Sequence, residues 1–222
     1  MSAVHTVQGS TGNFDFLRAR AKASAVLEPE WLDAFRDRSM RRFHEVGIPD
    51  TSDEEWRFTP IAPIADTEFS LPPMEASAPH STSVMFADAG FVRLVFVDGV
   101  LSGELSSLRG LPRTVEIGSL NEAAARQPEL VQAHLGSVST GGPSFTSLNG
   151  ALFADGAFIN VPAGVVVETP IHLAFLSTSS DQPTITSPRA LILVGESGSL
   201  SIVETYQGVG GVRQLTNSVV EA

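Results

Sequence analysis

The sequence predicts a mainly β protein with an α-helical N-terminal region, whose C-terminal part is a solenoid of stacked parallel strands. Three observations lead to this fold class. Apolar residues recur every six positions between residues 157 and 177, Pro or Gly interrupts each short run, and helical spacing is found between residues 13 and 46. Short strands at a small fixed period are typical of solenoids, in which each strand forms one side of a coil.

Residues 13 to 46 are predicted to form two helices. The first, over about 13 to 27, carries its apolar residues on one stripe. Pro29 followed by acidic residues begins the second helix, and Gly47 ends it. Trp56 follows an acidic turn, and we expect it to be buried as an anchor between the helical segment and the β core.

The middle of the chain is predicted to contain a loop, a hairpin and a helix. Residues 72 to 90 are rich in Pro, Ala and Ser, which favours a linker or loop. Asp98 and Gly99 are a turn signal between two strands of alternating character. A capping box at the start of residues 119–135 predicts a helix, which Pro128 should kink or split.

From about residue 157 onward, short β-rich runs alternate with Pro and Gly breaks. Ile159, Val165 and Ile171 stand six apart. A second series repeats this spacing two residues later: Val161, Val167 and Leu173. We expect both series to point inward. The breaks are mostly Pro-x-Gly and Thr-Pro rather than the Asn-Gly or Asp-Gly of consecutive hairpins, although an antiparallel sandwich remains the alternative on this pattern.

Three regions are predicted along the chain. They are an N-terminal helical region (1–70), a mixed α/β entry segment (71–150) and the first coils of the β core (151–222). No run approaches the ~18 uncharged apolar residues of a membrane span, and the first residues lack the basic and apolar parts of a signal peptide. We therefore expect a cytoplasmic protein with no membrane partner.

The charge distribution argues against nucleic acid as a partner. The net charge is −11, and the eight basic residues among the first 57 share that segment with ten acidic residues. The run RDRSMRR (36–42) is the one candidate for binding phosphate, which needs a local excess of positive charge. With Asp33 and Asp37 nearby, we interpret this run as a solvated helix face.

Familiar enzyme motifs are absent or incomplete. The chain has no cysteine, which excludes disulfides, thiolate-bound zinc and ligation of an iron–sulfur cluster by its own cysteines. The only lysine, Lys22, is not in a Gly-Lys-Ser/Thr sequence, so no Walker A motif exists. The dinucleotide, nucleophile-elbow and zincin patterns each fail at one required position, occupied by Arg213, Ser199 and Ile48.

No catalytic, cofactor-binding or metal-ligating residue is assigned from the sequence. The histidines are scattered: His5, His44, His80, His134 and His172. His172 stands where a cupin barrel would place a ligand, but nothing supplies the further ligands of a metal site, so a structural role is favoured. Several carboxylates fall at turns or strand ends, where solvated acids are common: Asp155, Glu168, Glu196 and Glu204.

Five segments together resemble the SufB/SufD family, subunits of the SUF scaffold for iron–sulfur cluster assembly. The resemblance is carried, in order, by GIPDTSDEEWRFTPIAPI, FVDGVLSGELSSL, LNGALFADGAFINVPAGVVVETPIHLAFLS, SPRALILVGESGSLSIVETY and LTNSVVEA. The third segment is the most specific, with its Phe-x-Asp-Gly, Pro-x-Gly-Val and Pro-Ile-His sequence. The lack of cysteine is closer to SufD than to SufB.

The resemblance implies a right-handed parallel β-helix after a small helical domain. Because family members are longer and end in a helical domain, it also implies that this chain is truncated at its C-terminal side. It further implies a non-catalytic scaffold subunit that pairs with a SufB-like subunit and a SufC-like ATPase. This chain alone is expected to bind no cofactor, since the complex assembles the cluster. A polysaccharide-active β-solenoid enzyme and a cupin-like metal enzyme centred on His172 are the alternatives.

Overall fold

The structure, a computed structural model, describes six ranges of the chain: 12–24, 29–72, 84–139, 143–178, 181–208 and 213–222. These ranges contain six α-helices: α1 (Gly12–Ser24), α2 (Glu30–Val46), α3 (Ala62–Ala65), α4 (Leu120–Arg126), α5 (Pro128–His134) and α6 (Ser144–Leu152). They contain ten strands: β1 (Val92–Val97), β2 (Val100–Ser107), β3 (Glu116–Ser119), β4 (Gly156–Val161), β5 (Ile171–Ser177), β6 (Thr184–Thr186), β7 (Arg189–Val194), β8 (Ile202–Gly208), β9 (Gln214–Thr216) and β10 (Val219–Glu221). A short 3-10 helix, Glu54–Trp56, follows α2.

The strands form two four-stranded sheets and one two-stranded sheet. The first sheet has the order β2-β1-β5-β8, the second has the order β10-β7-β4-β3, and β6 pairs with β9. The pairs β1–β2 and β3–β4 are antiparallel, and the other strand pairs are parallel. Each four-stranded sheet is therefore mixed, with its antiparallel strand at one edge and a parallel strand at the other.

The two four-stranded sheets share one apolar core. Every second residue of β1, β4, β5 and β7 points into it, as the two-residue period of a strand requires. The buried members from these strands are Val92, Leu94, Phe96, Ala157, Ile159, Val161, Ile171, Leu173, Phe175, Ala190 and Ile192. Full burial of each large apolar side chain stabilises the fold by about 1.5–3 kcal/mol, so this shared core holds the two sheets together.

Helices α1, α2 and α6 pack around a second apolar cluster. Phe14 of α1 meets Phe43 of α2 edge to face, with 5.5 Å between the ring centroids. Leu148 of α6 is fully buried in the same cluster. Gly150 lets α6 approach α2 closely, because a Cβ at this position would lie 2.6 Å from the Ser39 hydroxyl oxygen.

The prediction of a right-handed parallel β-helix solenoid is wrong. The strands lie in separate mixed sheets with antiparallel edge strands, and six helices of the described ranges accompany them. Ile159 and Ile171 of the six-residue series belong to different sheets. Val165 lies between them in a turn, where its N–H donates to the Pro162 carbonyl at 3.2 Å and its side chain is half-buried. The spacing thus reflects one strand, one turn and the next strand, and not neighbours in a sheet.

The antiparallel sandwich is not found either. Strands β4, β5 and β6 pair in parallel with β7, β8 and β9, the next strands of their own sheets. Ile159 lies opposite Ile192, and Ile171 lies opposite Ile202. The sequence pattern could not distinguish a solenoid from an antiparallel sandwich, because an apolar run bounded by Pro and Gly occurs in both arrangements.

Local signals predicted the ends of helices α2, α4 and α5 correctly. Helix α2 begins after Pro29 and ends at Gly47, whose φ of +75° suits a residue without a Cβ. Ser119 caps α4 by accepting a hydrogen bond from the Glu122 N–H at 3.1 Å. Pro128 stands at the first position of α5 and separates it from α4. These three predictions are confirmed.

The predicted hairpin is also confirmed, whereas helix α6 was not predicted. Asp98 and Gly99, with φ values of 52° and 86°, join the antiparallel strands β1 and β2. Helix α6 has the sequence SFTSLNGAL, in which Gly, Asn and hydroxyl residues hide the helical signal. Most of the predicted loop 72–90 lies outside the described residues, so only its ends can be placed.

Trp56 is half-buried and contacts a helix, so the prediction that it is buried is wrong. Its ring centroid lies 5.4 Å from that of Phe145 in α6. The ring contact of Trp56 is therefore with helix α6, which was not predicted. The three predicted regions (1–70, 71–150 and 151–222) stay a prediction. Among the described residues, no helix combines the length and apolar character needed to cross a membrane.

Candidate functional site: sheet edges and a buried arginine centre

The last strand of each sheet lies at an edge. Within the described ranges, β8, β9 and β10 pair on one side only, with β5, β6 and β7. Strands β5 and β6 are buried at every residue, whereas most residues of the three edge strands are partly or fully exposed. An edge strand leaves backbone N–H and C=O groups without ladder partners, so it can pair with further polypeptide.

Apolar side chains accompany these edge strands at the surface. Tyr206 of β8 and Val220 of β10 are 43% and 41% exposed. The Tyr206 ring stacks on Phe175 of β5 at 5.2 Å, and its hydroxyl donates to Glu204 at 2.5 Å. Burial and the Glu204 carboxylate raise the pKa of Tyr206, which keeps it a neutral donor. Exposed Tyr and Val beside free backbone groups suit contact with another protein surface.

A buried arginine centre joins β7, β10 and the segment after α5. Arg189 and Glu221 are each 1% exposed and form an ion pair of 2.5 Å. Arg189 also donates to the side-chain oxygen Oδ1 of Asn149 at 2.9 Å and to the Ser139 hydroxyl at 3.0 Å. Glu221 accepts from the Gly136 N–H at 3.1 Å and from the Ser139 hydroxyl at 2.9 Å. Both buried charges are therefore paired and hydrogen-bonded, as their burial requires.

Asn149 connects this centre to helix α6. The side chain is fully buried, and its amide donates to the carbonyls of Pro188 at 2.9 Å and Asn217 at 2.7 Å. Asn217 in turn donates to the Phe145 carbonyl at 2.9 Å. Each such bond contributes about 0.5–1.5 kcal/mol net. Together they fix α6 against the strands that carry Arg189 and Glu221.

Two glycines permit the close packing around the centre. Gly156 lies opposite Arg189 in the sheet, and a Cβ on Gly156 would overlap the Arg189 backbone carbonyl. Gly136 has a φ of +79°, and a Cβ there would lie 2.7 Å from the Phe35 ring. A side chain at either position would push the arginine centre apart.

His172, the one histidine weighed as a metal ligand, is fully buried in β5. Its Nε2 lies 2.8 Å from the Thr205 hydroxyl, and its ring faces Phe86 and Phe91 at 6.0 Å and 6.4 Å. Burial and then the charge of Arg93 lower the pKa of His172, which favours the neutral ring. These surroundings are those of a structural histidine, and the expectation that it binds no metal stays a prediction.

The other histidines do not converge with His172. Nε2 of His44 lies 2.7 Å from the Asp15 carboxylate, between α2 and α1. His134 is exposed at the end of α5. His5 and His80 lie outside the described residues. Among the described residues, no three His, Asp or Glu side chains group closely enough to hold a metal ion.

Asp155 is buried, contrary to its interpretation as a solvated acid. Its carboxylate accepts from the Ser119 hydroxyl at 2.9 Å and from the Asn121 N–H at 3.0 Å. Burial raises the pKa of Asp155, and these hydrogen bonds oppose the shift. Its role is to tie the start of β4 to the start of α4. Glu168 and Glu196 are exposed, as expected.

The arginine-rich run on α2 is not a uniformly solvated face. Arg36 is 3% exposed, and its guanidinium carbon lies 4.4 Å from the centroid of the Phe153 ring. Asp37 pairs with Arg18 of α1 at 2.8 Å. Arg38 and Arg42 are exposed but line a cleft between α2 and α6. The interpretation of this run as a solvated face is therefore wrong for Arg36.

The residues that sequence reasoning missed are those of the arginine centre. Arg189 precedes the apolar run ALILV, and Glu221 follows two valines. A charged residue beside a buried strand indicates that a residue of opposite charge lies nearby, because charged side chains are rarely buried without a partner. The sequence offers 25 acidic residues for Arg189, and nothing local points to Glu221.

Comparison with known proteins finds one matching family and several relatives. The family description "SufBD protein N-terminal region" matches residues 14–173. An iron–sulfur cluster assembly SufBD family protein of Synechocystis is 30% identical over 163 residues, which cover 73% of this chain and 36% of the relative. The iron–sulfur cluster assembly protein SufD of Bacillus subtilis is 25% identical over 185 residues, covering 81% and 42%.

A plant protein extends this set of relatives. The chloroplastic protein ABCI7 of Arabidopsis thaliana is 27% identical over 183 residues, which cover 80% of this chain and 38% of the relative. The chain thus spans about two fifths of the length of these relatives. The family match ends within β5, so it includes the helices and His172 but stops before Arg189 and Glu221.

Proposed function

Because the chain belongs to the SufBD family, whose N-terminal region it matches over residues 14–173, we propose that it is a non-catalytic, SufD-like scaffold subunit for iron–sulfur cluster assembly. That match is the observation that carries the proposal. The Synechocystis and Bacillus relatives, which are iron–sulfur cluster assembly proteins by name, support the assembly function. The SufD-like assignment is supported by the absence of cysteine from the sequence, since cluster ligation from within a chain normally uses thiolates.

The proposed partners are a SufB-like subunit and a SufC-like ATPase. Association with protein is supported by the exposed side chains of Tyr206 on β8 and Val220 on β10. The buried charges of Arg189 and Glu221 neutralise each other and support the fold rather than a reaction. In this proposal the cluster is the product of the complex, and the chain alone holds no cofactor. We place the complex in the cytoplasm.

Two observations favour the scaffold proposal over the enzyme alternatives. The cupin-like reading depends on His172, whose ring is enclosed by Thr205, Phe86 and Phe91. The polysaccharide-active reading depended on a β-solenoid, which the separate mixed sheets replace.

Co-expression with the two proposed partners tests the function. The tagged chain is produced with the SufB-like and SufC-like proteins of the same genome, purified under anaerobic conditions and analysed by size exclusion. We expect the three proteins to elute together, and cluster absorbance on reconstitution to require the SufB-like subunit. Elution of the chain apart from both proteins, or a stoichiometric cluster on the chain alone, would contradict the proposal. Omission of the SufB-like subunit is the control.

A further inference from the structure

The cleft between α2 and α6 has a chemistry that the proposed function does not use. Its volume is about 390 Å³, within the roughly 300–1,000 Å³ of small-molecule sites. The charged residues that line it are Arg38, Arg42 and Arg189, and no Asp or Glu is among its described lining residues. The whole chain has a net charge of −11, whereas the charged side chains that line the cleft are positive.

Arg38 and Arg42 form one wall of the cleft. They stand four apart on α2, so they project from the same face of the helix. Arg38 is exposed and has no ion pair within the described part of the chain. Arg42 pairs with Glu45 at 3.0 Å, and the two side chains are 46% and 65% exposed. Such a surface pair contributes little to stability, so a stronger anion can displace Glu45.

Helix α6 supplies hydrogen-bond donors on the opposite wall. The hydroxyls of Thr146 and Ser147 line the cleft and have no hydrogen-bond partner among the described residues. Ser147 is only 8% exposed, and it is one of the residues that line the cleft. Thr146 lies in the first turn of α6, where Pro143 at the N-cap position makes no side-chain cap. Thr146 is the residue of that turn that lines the cleft, and the dipole of the helix favours an anion beside it.

Arg189 lies at the base of the cleft but does not add a free charge. Its guanidinium is held by Glu221 and Asn149. The Ser39 hydroxyl donates to the Phe35 carbonyl at 2.9 Å, so it has no proton left for an anion. The donors that remain for a ligand are therefore the two arginines of α2 and the residues Thr146 and Ser147 of α6.

We propose that this cleft binds a phosphate group, whether of a soluble small molecule or of a lipid headgroup. A guanidinium presents several N–H donors in a planar fork that matches phosphate oxygens. Arg38 and Arg42 would hold two oxygens, and Thr146 and Ser147 would hold the others. The inference rests on this cleft alone and does not depend on the partners of the chain.

Calorimetric titration of the full chain with inorganic phosphate and with pyrophosphate, at constant ionic strength, tests the site. We expect saturable binding of one ion per chain. Arg38→Gln should weaken binding roughly tenfold, the size of one charge-assisted hydrogen bond. Thr146→Val should weaken binding by a smaller factor. Arg41→Gln is the matched control, because Arg41 lies on the same exposed helix but outside the cleft lining, and it should bind as the wild type does.

The other possible outcomes either overturn the proposal or identify the molecule that carries the phosphate. Absence of saturable binding to phosphate, pyrophosphate and phosphatidic acid vesicles overturns it. Equal losses in Arg38→Gln and Arg41→Gln overturn it as well, because they indicate general charge attraction. Citrate binding as tightly as pyrophosphate rejects phosphate as the ligand. Arg38-dependent binding to phosphatidic acid vesicles but not to phosphatidylcholine vesicles supports the site and identifies a lipid headgroup as the source of the phosphate.

Discussion

Arg189 and Glu221 show how a single pair of residues can determine the stability of this protein. Neither side chain reaches water, and the two oppositely charged groups lie 2.5 Å apart. A buried pair of charges and a single buried charge have very different effects on stability. Two opposite charges together are tolerated, whereas one alone is costly because nothing replaces the water that it lost.

Arg189→Leu is therefore expected to lower the free energy of unfolding by roughly 3–5 kcal/mol, because Glu221 is left as a buried, unpaired charge. Urea unfolding at neutral pH measures the loss. Arg113→Leu, at an exposed position, is the control and should change stability by less than about 0.5 kcal/mol. The double variant Arg189→Leu/Glu221→Leu should recover part of the loss. A double variant that is less stable than Arg189→Leu would show that the ion pair itself is not the main term.

His172 should make stability depend on pH in the weakly acidic range. Burial and Arg93 lower its pKa in the folded chain below the ordinary value of 6.5. The unfolded chain therefore binds more protons between the two pKa values, so stability is full above about pH 6.5 and falls as the pH drops toward the folded pKa. We expect the loss of unfolding free energy from about pH 7 to about pH 5 to be smaller in His172→Gln.

Urea titrations at several pH values measure this dependence. His134→Gln serves as the comparison, because His134 is exposed and should leave the pH profile unchanged. Identical pH profiles for His172→Gln and the wild type would show that His172 does not titrate differently in the folded chain.

Among the elements, the parallel pairing of β4 with β7 depends on the absence of one side chain. Gly156→Ala is expected to destabilise the protein by about 1–3 kcal/mol or more. The Cβ of the alanine would overlap the backbone carbonyl of Arg189, which cannot rotate away as a side chain could. Gly118→Ala is the matched control in neighbouring strand β3, where nothing lies within 4 Å of the added Cβ. Thermal melts of both variants, followed by circular dichroism, measure the effect. Equal melting temperatures would reject the close approach of β4 and β7.

At the scale of the whole molecule, the helices and sheets should unfold together. One apolar cluster combines Leu32 of α2, Leu120 of α4, Phe158 of β4 and Leu191 of β7. The network around Asn149 also joins α6 to the strands. Contacts that cross every predicted boundary favour a single cooperative transition.

Two probes in one urea titration test this cooperativity. Tryptophan fluorescence reports on the N-terminal part, since the two tryptophans are Trp31 and Trp56, and far-ultraviolet circular dichroism reports on the whole backbone. We expect the two transitions to coincide. A fluorescence transition at lower urea would show that residues 1–70 unfold separately and would support the predicted boundary of the helical region.

The sequence alone determined the features that depend on neighbours within a few residues. Pro29, Gly47, Ser119 and Pro128 mark helix ends because a cap or a missing N–H acts over about four residues. The family was likewise recognisable from the sequence, because its segments occur in order along the chain.

The tertiary structure alone decided which strands are neighbours and which charges meet. Apolar spacing reports that a strand is buried, and it does not report the partner that buries it. The sequence therefore predicted a solenoid, where Ile159 and Ile171 in fact lie in two sheets. Asn149, Arg189 and Glu221 come from separate elements, so their hydrogen bonds exist only after the sheets and α6 have packed. The same holds for Arg38 and Thr146, whose cleft is formed by two helices far apart in the chain.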